Sequence, residues 1–369
     1  DSSSDSSSHQ SSNKPYDKFC KIDVINHRSY DIPAEIKQKY ANLLDNYKVS
    51  LLDLGKLDVA FGKLFSNCVK DICKINNIDL KDIAAIGSHG QTIYHYPHGE
   101  HPFTMQIGDP NVIFAQTGIT TIADFRRLDV AFGGQGAPLT PLFHKTMFKD
   151  DKYKLNLVLN IGGIANITAI SDDNKVIGYD TGPGNCLLDL CSSRYIGKPF
   201  DNLGLWGKSG DVSQNLLDFM LKDEYFSKSA PKSTGREYFS DNWLNNIINK
   251  SDILGLKPQD IQATLLSLSA RTIESEVKKV ISSNNYRLED ARLIICGGGV
   301  KNKALFDLIE KYLAPVSVIS SSEIDLDPDF VESTAFAYFA WARINGLGFD
   351  MQPVTGSSLK KMPGVAYFM

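Results

Sequence analysis

Three glycine-rich segments each follow an apolar, strand-forming run, and this arrangement constrains the fold more than any other feature of the sequence. They are Ile161-Gly162-Gly163-Ile164 after Leu155–Asn160, Asp180–Asn185 after Val176–Tyr179, and Gly297-Gly298-Gly299 after Leu293–Cys296. Glycines let backbone N–H groups approach phosphate oxygens, and a following helix N-terminus adds partial positive charge. Together the three segments favour a nucleotide site, although one such segment alone more often serves backbone geometry.

Strand-like and helical patterns alternate through the second half of the chain, which predicts an α/β fold. Further strands are predicted at Ile22–Val24, Ile83–Ile86 and Ala165–Ile170. Helical patterns cover Pro33–Leu44, Leu57–Ile75, Gly184–Cys191, Pro258–Ile281, Lys301–Leu313 and Val331–Asn345. Because 369 residues exceed the size of one typical core, we expect a loop or disordered segment at 1–20 and two α/β lobes at 21–150 and 151–369.

Composition excludes several classes of protein. A formal net charge of -4 provides no basic surface for nucleic acid, and no apolar run approaches the ~20 residues of a membrane span. The six cysteines are scattered without zinc-ligand spacing, so we predict no side-chain metal site. Free thiols and the lack of a signal peptide favour the cytoplasm. No Walker sequence is present, so a nucleotide site must be of another kind.

Asp180 is the most informative carboxylate in the sequence. It follows a predicted strand and precedes Thr181-Gly182-Pro183-Gly184, so it would project among the glycine segments. A carboxylate held there can accept a proton from a hydroxyl or a water as that group attacks. The alternative is a helix N-cap or an Asx-turn residue.

Two further segments combine polar groups with turns. Arg126, next to Asp124, could hold a carboxylate or stabilise phosphoryl charge, although a surface ion pair is the common role of such neighbours. His89 lies in Gly87-Ser88-His89-Gly90-Gln91-Thr92, whose side chains offer hydrogen bonds of the kind that sugars need; a structural histidine is the alternative. Glu332 begins the last long helix, where it could complement the helix dipole or enter a site.

Seven strings in the sequence resemble the anhydro-N-acetylmuramic acid kinase family, in the same order along the chain. They are IGSHGQTIYH (86–95), TMQIGDPNVIFAQTGITTIADFRRLDVAFGGQGAPL (104–139), LNIGGIANIT (159–168), YDTGPGNCLLD (179–189), PKSTGREYF (231–239), DIQATL (260–265) and CGGGVKN (296–302). The resemblance implies a two-lobed sugar kinase/Hsc70/actin (ribonuclease H-like) fold with a central cleft. It also implies a homodimer.

The resemblance implies a reaction that uses ATP and Mg²⁺. Members of the family open the 1,6-anhydro ring of 1,6-anhydro-N-acetylmuramic acid and phosphorylate O6, giving N-acetylmuramic acid 6-phosphate for cell-wall recycling. Asp180 would activate the attacking water and Arg126 would orient the reacting groups. Nucleotide contacts are expected from Gly162, Gly163, Asn166, Gly182, Gly297, Gly298, Gly299 and Asn302. Sugar contacts are expected from Ser88, His89, Gln91, Gln106, Asp109, Asp124 and Glu332.

One family motif does not occur in this sequence. The family opens with G-x-M-S-G-T-S-x-D-G-x-D, its first phosphate clamp, and no such string is found here. Since the sequence starts at Asp1 without a methionine, we expect that the true N-terminus precedes it; the alternative is the loss of this clamp, with impaired ATP turnover. Two other functions stay open: phosphorylation of a plain anhydrohexose such as levoglucosan, and sugar binding without catalysis.

Overall fold

A computed structural model describes residues 22–46, 49–230, 232–250 and 255–369, so the loop or disorder expected at 1–20 lies outside the described residues. The helices are α1 (Ala34–Asn46), α2 (Leu51–Ile75), α3 (Pro110–Thr117), α4 (Phe125–Ala131), α5 (Thr140–Phe148), α6 (Cys186–Ile196), α7 (Leu205–Lys208), α8 (Gln214–Met220), α9 (Glu224–Ser227), α10 (Asp241–Lys250), α11 (Pro258–Ser283), α12 (Lys303–Leu313), α13 (Val331–Ile344) and α14 (Gln352–Thr355). The strands are β1 (Ile86–Gly87), β2 (Gln91–Tyr96), β3 (Phe103–Ile107), β4 (Thr121–Ala123), β5 (Leu155–Ile161), β6 (Ile164–Ser171), β7 (Val176–Pro183), β8 (Ala291–Cys296), β9 (Ser317–Ser320) and β10 (Val365–Tyr367).

A five-stranded mixed sheet organises the second half of the chain. Its order is β7-β6-β5-β8-β9, in which β5, β6 and β7 form an antiparallel meander while β8 and β9 run parallel to β5. Strands β5 and β8 are buried almost throughout, as expected for strands covered on both faces. This is the ribonuclease H-like arrangement, and it confirms the predicted fold class.

The first part of the chain builds two smaller sheets. Strands β1 and β4 pair in parallel, and β10 from the C-terminus adds to β4 in antiparallel orientation. Strands β2 and β3 form a separate antiparallel pair with a register shift between Thr92 and Tyr94. The end of the chain therefore returns to the sheet that its first part begins.

Most predicted elements were correct, and the following three differ from the structure. The helix expected from Leu57 starts at Leu51, because Ser50 caps it by accepting a hydrogen bond from the Asp53 N–H at 3.0 Å. Of the strand expected at Ile83–Ile86, only Ile86 belongs to a strand, β1. A 3₁₀ helix at Leu80–Asp82 lies just before this segment. The strand expected at Ile22–Val24 is wrong: this segment packs on apolar side chains without strand pairing.

Two large apolar clusters support the sheets. One lies between the five-stranded sheet and the face of α11, where Leu265, Leu268 and Ile273 are buried. The other combines residues from both halves of the sequence, including Phe125 and Phe339. A smaller cluster fills the space around α2. The division at residues 21–150 and 151–369 stays a prediction. In the described ranges, no helix is long and apolar enough to cross a membrane.

We expect Phe339→Ala to lower the free energy of unfolding by about 3–5 kcal/mol, the usual cost of a large cavity in a core. Phe339 is fully buried on α13 and contacts the rings of Phe125 and Phe336. Urea denaturation measures the loss. Trp341→Ala, on the same helix but 37% exposed, is the matched control and should cost much less; equal losses would contradict this account of the core.

Candidate functional site

The three glycine segments meet at one edge of the five-stranded sheet. Strands β5, β7 and β8 point in the same direction, so the segments at their carboxyl ends lie side by side. In open α/β sheets this edge is the usual ligand site. The backbone N–H of Gly184 donates to Gly163 O at 2.9 Å, and that of Asn185 donates to Gly162 O at 2.8 Å. The first two segments are therefore joined directly.

Close packing explains why glycine is needed at the edge. Gly297 has φ +81°, and a Cβ there would lie 2.3 Å from the Asn160 Oδ1. Gly299 is equally restricted, because a Cβ would lie 2.2 Å from Ile161 Cγ2. Gly298, by contrast, has no atom within 4 Å of an added Cβ. Its backbone is open to a ligand at the start of a helical turn, which suits a nucleotide.

Two other predicted nucleotide residues make contacts within the protein. Asn302 is the N-cap of α12 and accepts a hydrogen bond from the Leu305 N–H at 3.1 Å. Gly182 is buried, and a Cβ there would lie 3.0 Å from Phe226. Asn166, which is half-buried, lies opposite Asp180 in the register of β6 and β7.

Asp180 lies within β7, not at its end as predicted, because the strand continues to Pro183. Its carboxylate Oδ2 accepts a hydrogen bond from the Thr234 N–H at 3.0 Å. The N-cap position of α6 belongs to Asn185, so Asp180 does not cap that helix. Burial, opposed by the Thr234 hydrogen bond and assisted by the charge of Glu237, raises the pKa of Asp180 to about 6. A carboxylate with this pKa is suited to proton transfer near neutral pH.

Arg126 and His89, predicted separately from distant segments, are in direct contact. The Arg126 Nε donates to His89 Nε2 at 2.8 Å, and Arg126 Nη1 donates to Gly136 O at 2.8 Å. Since Nε2 accepts, the His89 proton lies on Nδ1, which is 2.8 Å from Gly90 O. Burial, together with the charge of Arg126, lowers the pKa of His89 to about 4. His89 is therefore neutral and orients the guanidinium.

The loop that Arg126 contacts is held next to β7. The fully buried Asp129 accepts a hydrogen bond from the Gly136 N–H at 2.7 Å and another from Thr355 Oγ1 at 2.8 Å. A Cβ on Gly178, two residues before Asp180, would lie 3.5 Å from Pro138 in the same loop. The Arg126 segment and the Asp180 strand are thus connected through this loop.

Glu332 lies at the start of α13, between the two sides of the site. Burial lowers the pKa of Arg126, and the Glu332 charge opposes this shift. Burial raises the pKa of Cys296, and the Glu332 charge adds to that shift. The Gly297 N–H donates to Pro328 O at 3.0 Å, which fixes the beginning of this helix beside the third glycine segment. Glu332 itself is exposed, so it is accessible to a ligand.

The remaining predicted sugar residues are distributed over the neighbouring hairpin and turns. Gln106 donates to Thr104 Oγ1 at 2.8 Å on the polar face of β3, and Gln91 donates to the Tyr40 hydroxyl at 2.7 Å. The Ser88 side chain is buried beside His89. Asp109 caps α3 and accepts from the Asn111 N–H at 2.8 Å, so its carboxylate has a structural role there.

Asp124 adopts a left-handed conformation, φ 55°, between β4 and α4. Its carboxylate accepts hydrogen bonds from the Tyr367 hydroxyl at 2.5 Å and from Arg127 Nη1 at 3.2 Å. The ion pair considered for this segment therefore forms with Arg127, while Arg126 points to His89. The strand β10 that brings Tyr367 here could not be anticipated from the local sequence.

Several residues near Asp180 were missed by sequence reasoning. Lys232 and Thr234 lie in the string PKSTGREYF (231–239), which contributed only to the family resemblance. Arg236, in the same string, lies over Gly163, where an added Cβ would be 2.4 Å from the Arg236 Nε. Glu276 lies in a helical pattern without any local motif. Among the described residues, no three His, Cys, Asp or Glu side chains gather as a metal site.

Comparisons with known proteins agree with this geometry. A family model described as anhydro-N-acetylmuramic acid kinase matches residues 16–369. An anhydro-N-acetylmuramic acid kinase of Pasteurella multocida (strain Pm70) is 43% identical over 92% of this chain and 88% of that relative. One of Aliivibrio fischeri (strain ATCC 700601 / ES114) is 40% identical over 94% of this chain and 92% of the relative.

A solved structure, the activator of the 2-hydroxyisocaproyl-CoA dehydratase from Clostridium difficile with bound ADPNP, is a much weaker match. It is 13% identical and has a TM-score of 0.35, over 71% of this chain and 94% of that one. A likeness at this level carries no argument about fold or function.

We expect His89 to stay neutral with its proton on Nδ1 down to about pH 4. Because this pKa lies below the ordinary value of 6.5, the unfolded chain binds more protons in that interval, and stability should fall as the pH is lowered from about 6.5 to about 4. Long-range ¹H–¹⁵N NMR of the histidine rings reports the tautomer, and His89→Gln assigns the resonances. A ring that titrates above pH 6 would contradict the contact with Arg126.

Proposed function

The chain belongs to the anhydro-N-acetylmuramic acid kinase family, and on that premise we propose that it opens 1,6-anhydro-N-acetylmuramic acid with ATP to give N-acetylmuramic acid 6-phosphate. The kinase class follows from the family, whereas the reaction and its place in cell-wall recycling are our proposal. The observation that carries it is Asp180, a half-buried carboxylate whose pKa is raised to about 6 beside three glycine segments.

In this proposal Asp180 acts as the general base. Its carboxylate removes a proton from a water that attacks C1 of the sugar. The bond from C1 to O6 breaks, and O6 forms a bond to the γ-phosphorus of ATP as the bond to ADP breaks. Burial supports this role, because a carboxylate with a raised pKa is a stronger base than an exposed one.

Arg126 supplies the positive charge on the opposite side. Neutral His89 and Gly136 O hold its guanidinium in place, so three of its five N–H donors stay available for substrate oxygens. Glu332, accessible at the start of α13, is proposed to accept a hydrogen bond from a sugar hydroxyl. Ser88, Gln91 and Gln106 would complete the sugar side.

The nucleotide phosphates would approach the turn at Gly162 and Gly163, where the Arg236 guanidinium lies over Gly163, and the open backbone of Gly298. The Gly162 N–H itself donates to Ile164 O at 3.2 Å. Mg²⁺ usually takes one or two carboxylates together with phosphates and waters. When bound, the ion would neutralise phosphate charge. The cytoplasm and a homodimer stay predictions.

We expect the purified chain, given ATP and Mg²⁺, to release ADP when 1,6-anhydro-N-acetylmuramic acid is present, and to form a phosphorylated reducing sugar. Coupled ADP release and mass spectrometry measure both. Levoglucosan is the comparison substrate. Turnover with levoglucosan alone would replace the proposed substrate, and calorimetric sugar binding without turnover would favour a silent binding protein.

Asp180→Asn should lower kcat by about 10²–10⁴, the usual contribution of a general base. The rate of the unchanged chain should rise with pH through about 6, as Asp180 loses its proton. Because the folded state raises the pKa of Asp180, its charged carboxylate lowers the free energy of unfolding at higher pH. Asp180→Asn should therefore melt no lower than the unchanged chain at pH 8. Asp307→Asn, in a surface ion pair of α12, is the control. A fully active Asp180→Asn would overturn the mechanism.

A further inference from the structure

Segment 232–234 holds both the backbone N–H and the carboxylate of Asp180. The Asp180 N–H donates to Lys232 O at 3.1 Å, and the Thr234 N–H donates to the Asp180 carboxylate at 3.0 Å. On the far side, the Tyr225 hydroxyl donates to Asp180 O at 2.7 Å. The position of the carboxylate therefore depends on a segment that belongs to no helix or strand.

This segment is anchored by a buried ion pair. Lys232 Nζ lies 3.0 Å from Glu276 Oε1, and the two side chains are only 3% and 6% exposed. The same ammonium lies 4.8 Å from the centroid of the Tyr225 ring. Tyr179 and Lys279 also donate to Glu276, at 3.2 and 2.8 Å. Glu276 is thus fully satisfied, as a buried carboxylate must be.

Glu276 belongs to a polar face of α11 that contacts the chain on both sides of Asp180, at Tyr179 before it and at Gly182 and Gly184 after it. Ser269 Oγ donates to Gly184 O at 3.0 Å, and Thr272 lies 3.5 Å from the position of a Cβ on Gly182. Ser269, Thr272 and Glu276 are spaced by three and four residues, so they share one side of the helix. All three are buried, although apolar side chains would fill that space at lower cost.

We propose that the buried ion pair between Lys232 and Glu276 of α11 is a positioning device, which holds segment 232–234 so that the Thr234 N–H meets the Asp180 carboxylate. This inference rests on the proposed function for the role of Asp180 as a base, but the geometry can be tested without turnover. The pair itself does not touch the carboxylate. The pair acts on Asp180 through the backbone between Lys232 and Thr234.

The device also sets the charge balance around the base. The groups that face Asp180 are the Thr234 N–H, which lowers its pKa, Glu237, whose charge raises it, and Tyr225, whose own pKa is raised by burial and further by the Asp180 charge. The groups that face Glu276 are Lys232, Lys279, Tyr179 and Tyr225. If segment 232–234 moves away, Asp180 loses the donor that stabilises its charged form, and its pKa rises further.

The direct test follows the amide resonance of Thr234 during a pH titration by ¹H–¹⁵N NMR. In the unchanged chain it should shift with a midpoint near 6, and Asp180→Asn should abolish that response. In Lys232→Met and in Glu276→Gln, the midpoint should move upward by about one pH unit or the response should disappear, since the hydrogen bond is lengthened or lost. Glu276→Gln keeps the side-chain size and serves if Lys232→Met does not fold.

Kinetics add a second readout. Both variants should lower kcat by about 10- to 100-fold, the scale of a misplaced catalytic group, with little change in the KM for ATP. Arg292→Met is the control, because it breaks another ion pair, between the buried Arg292 and the partly exposed Asp150 at 3.4 Å, near the start of β8 and far from the glycine edge. It should lower stability without moving the Thr234 titration.

The outcomes separate the two proposals. Folded Lys232→Met and Glu276→Gln proteins with an unchanged Thr234 titration would overturn the positioning role, as would an equal change in Arg292→Met. Full turnover by Asp180→Asn would instead overturn the proposed function. The NMR result would still decide whether the ion pair positions the carboxylate.

Discussion

The common direction of β5, β7 and β8 is the constraint on which the rest of the site depends. Because these strands end at one edge of the sheet, three segments meet there, although the third begins more than a hundred residues after the second ends. Direct backbone hydrogen bonds from Gly184 and Asn185 to the Gly162-Gly163 turn hold that edge together. A nucleotide site built in this way consists mainly of backbone, so it needs glycine and a rigid sheet more than it needs charged side chains.

Burial then determines the chemistry of the side chains at this edge. Asp180 has its pKa raised to about 6, and His89 has its pKa lowered to about 4, both chiefly because the protein removes water from them. The two shifts have opposite signs for an acid and a base, as expected when burial disfavours charge. The result is a carboxylate that can accept a proton near neutral pH and an arginine that a neutral histidine orients.

Local sequence was sufficient for most of the elements and for the type of site. The helix predicted at Pro258–Ile281 begins where expected and ends two residues later, at Ser283. Both strands of the β5–β6 hairpin were predicted to within one residue at each end. Errors arose where a distant residue changes the local outcome. Asp180 was expected at the end of a strand, but pairing with β6 extends β7 to Pro183. Residues such as Glu276 had no local motif at all, since their role exists only through contacts across the fold.

By itself, the sequence determined which groups are chemically available: the glycines that allow close backbone approach, the aspartate among them, and the ordered strings that identify the family. Only the tertiary structure decided which of these groups meet. In the folded protein Arg126 contacts His89 rather than Asp124, and Asp124 accepts a hydrogen bond from Tyr367 of the last strand. Asp180 is connected through segment 232–234 to a buried ion pair with Glu276 of α11. The physical reason is that hydrogen bonds and ion pairs need distances of about 3 Å, which the folding of remote segments, and not their order in the chain, brings about.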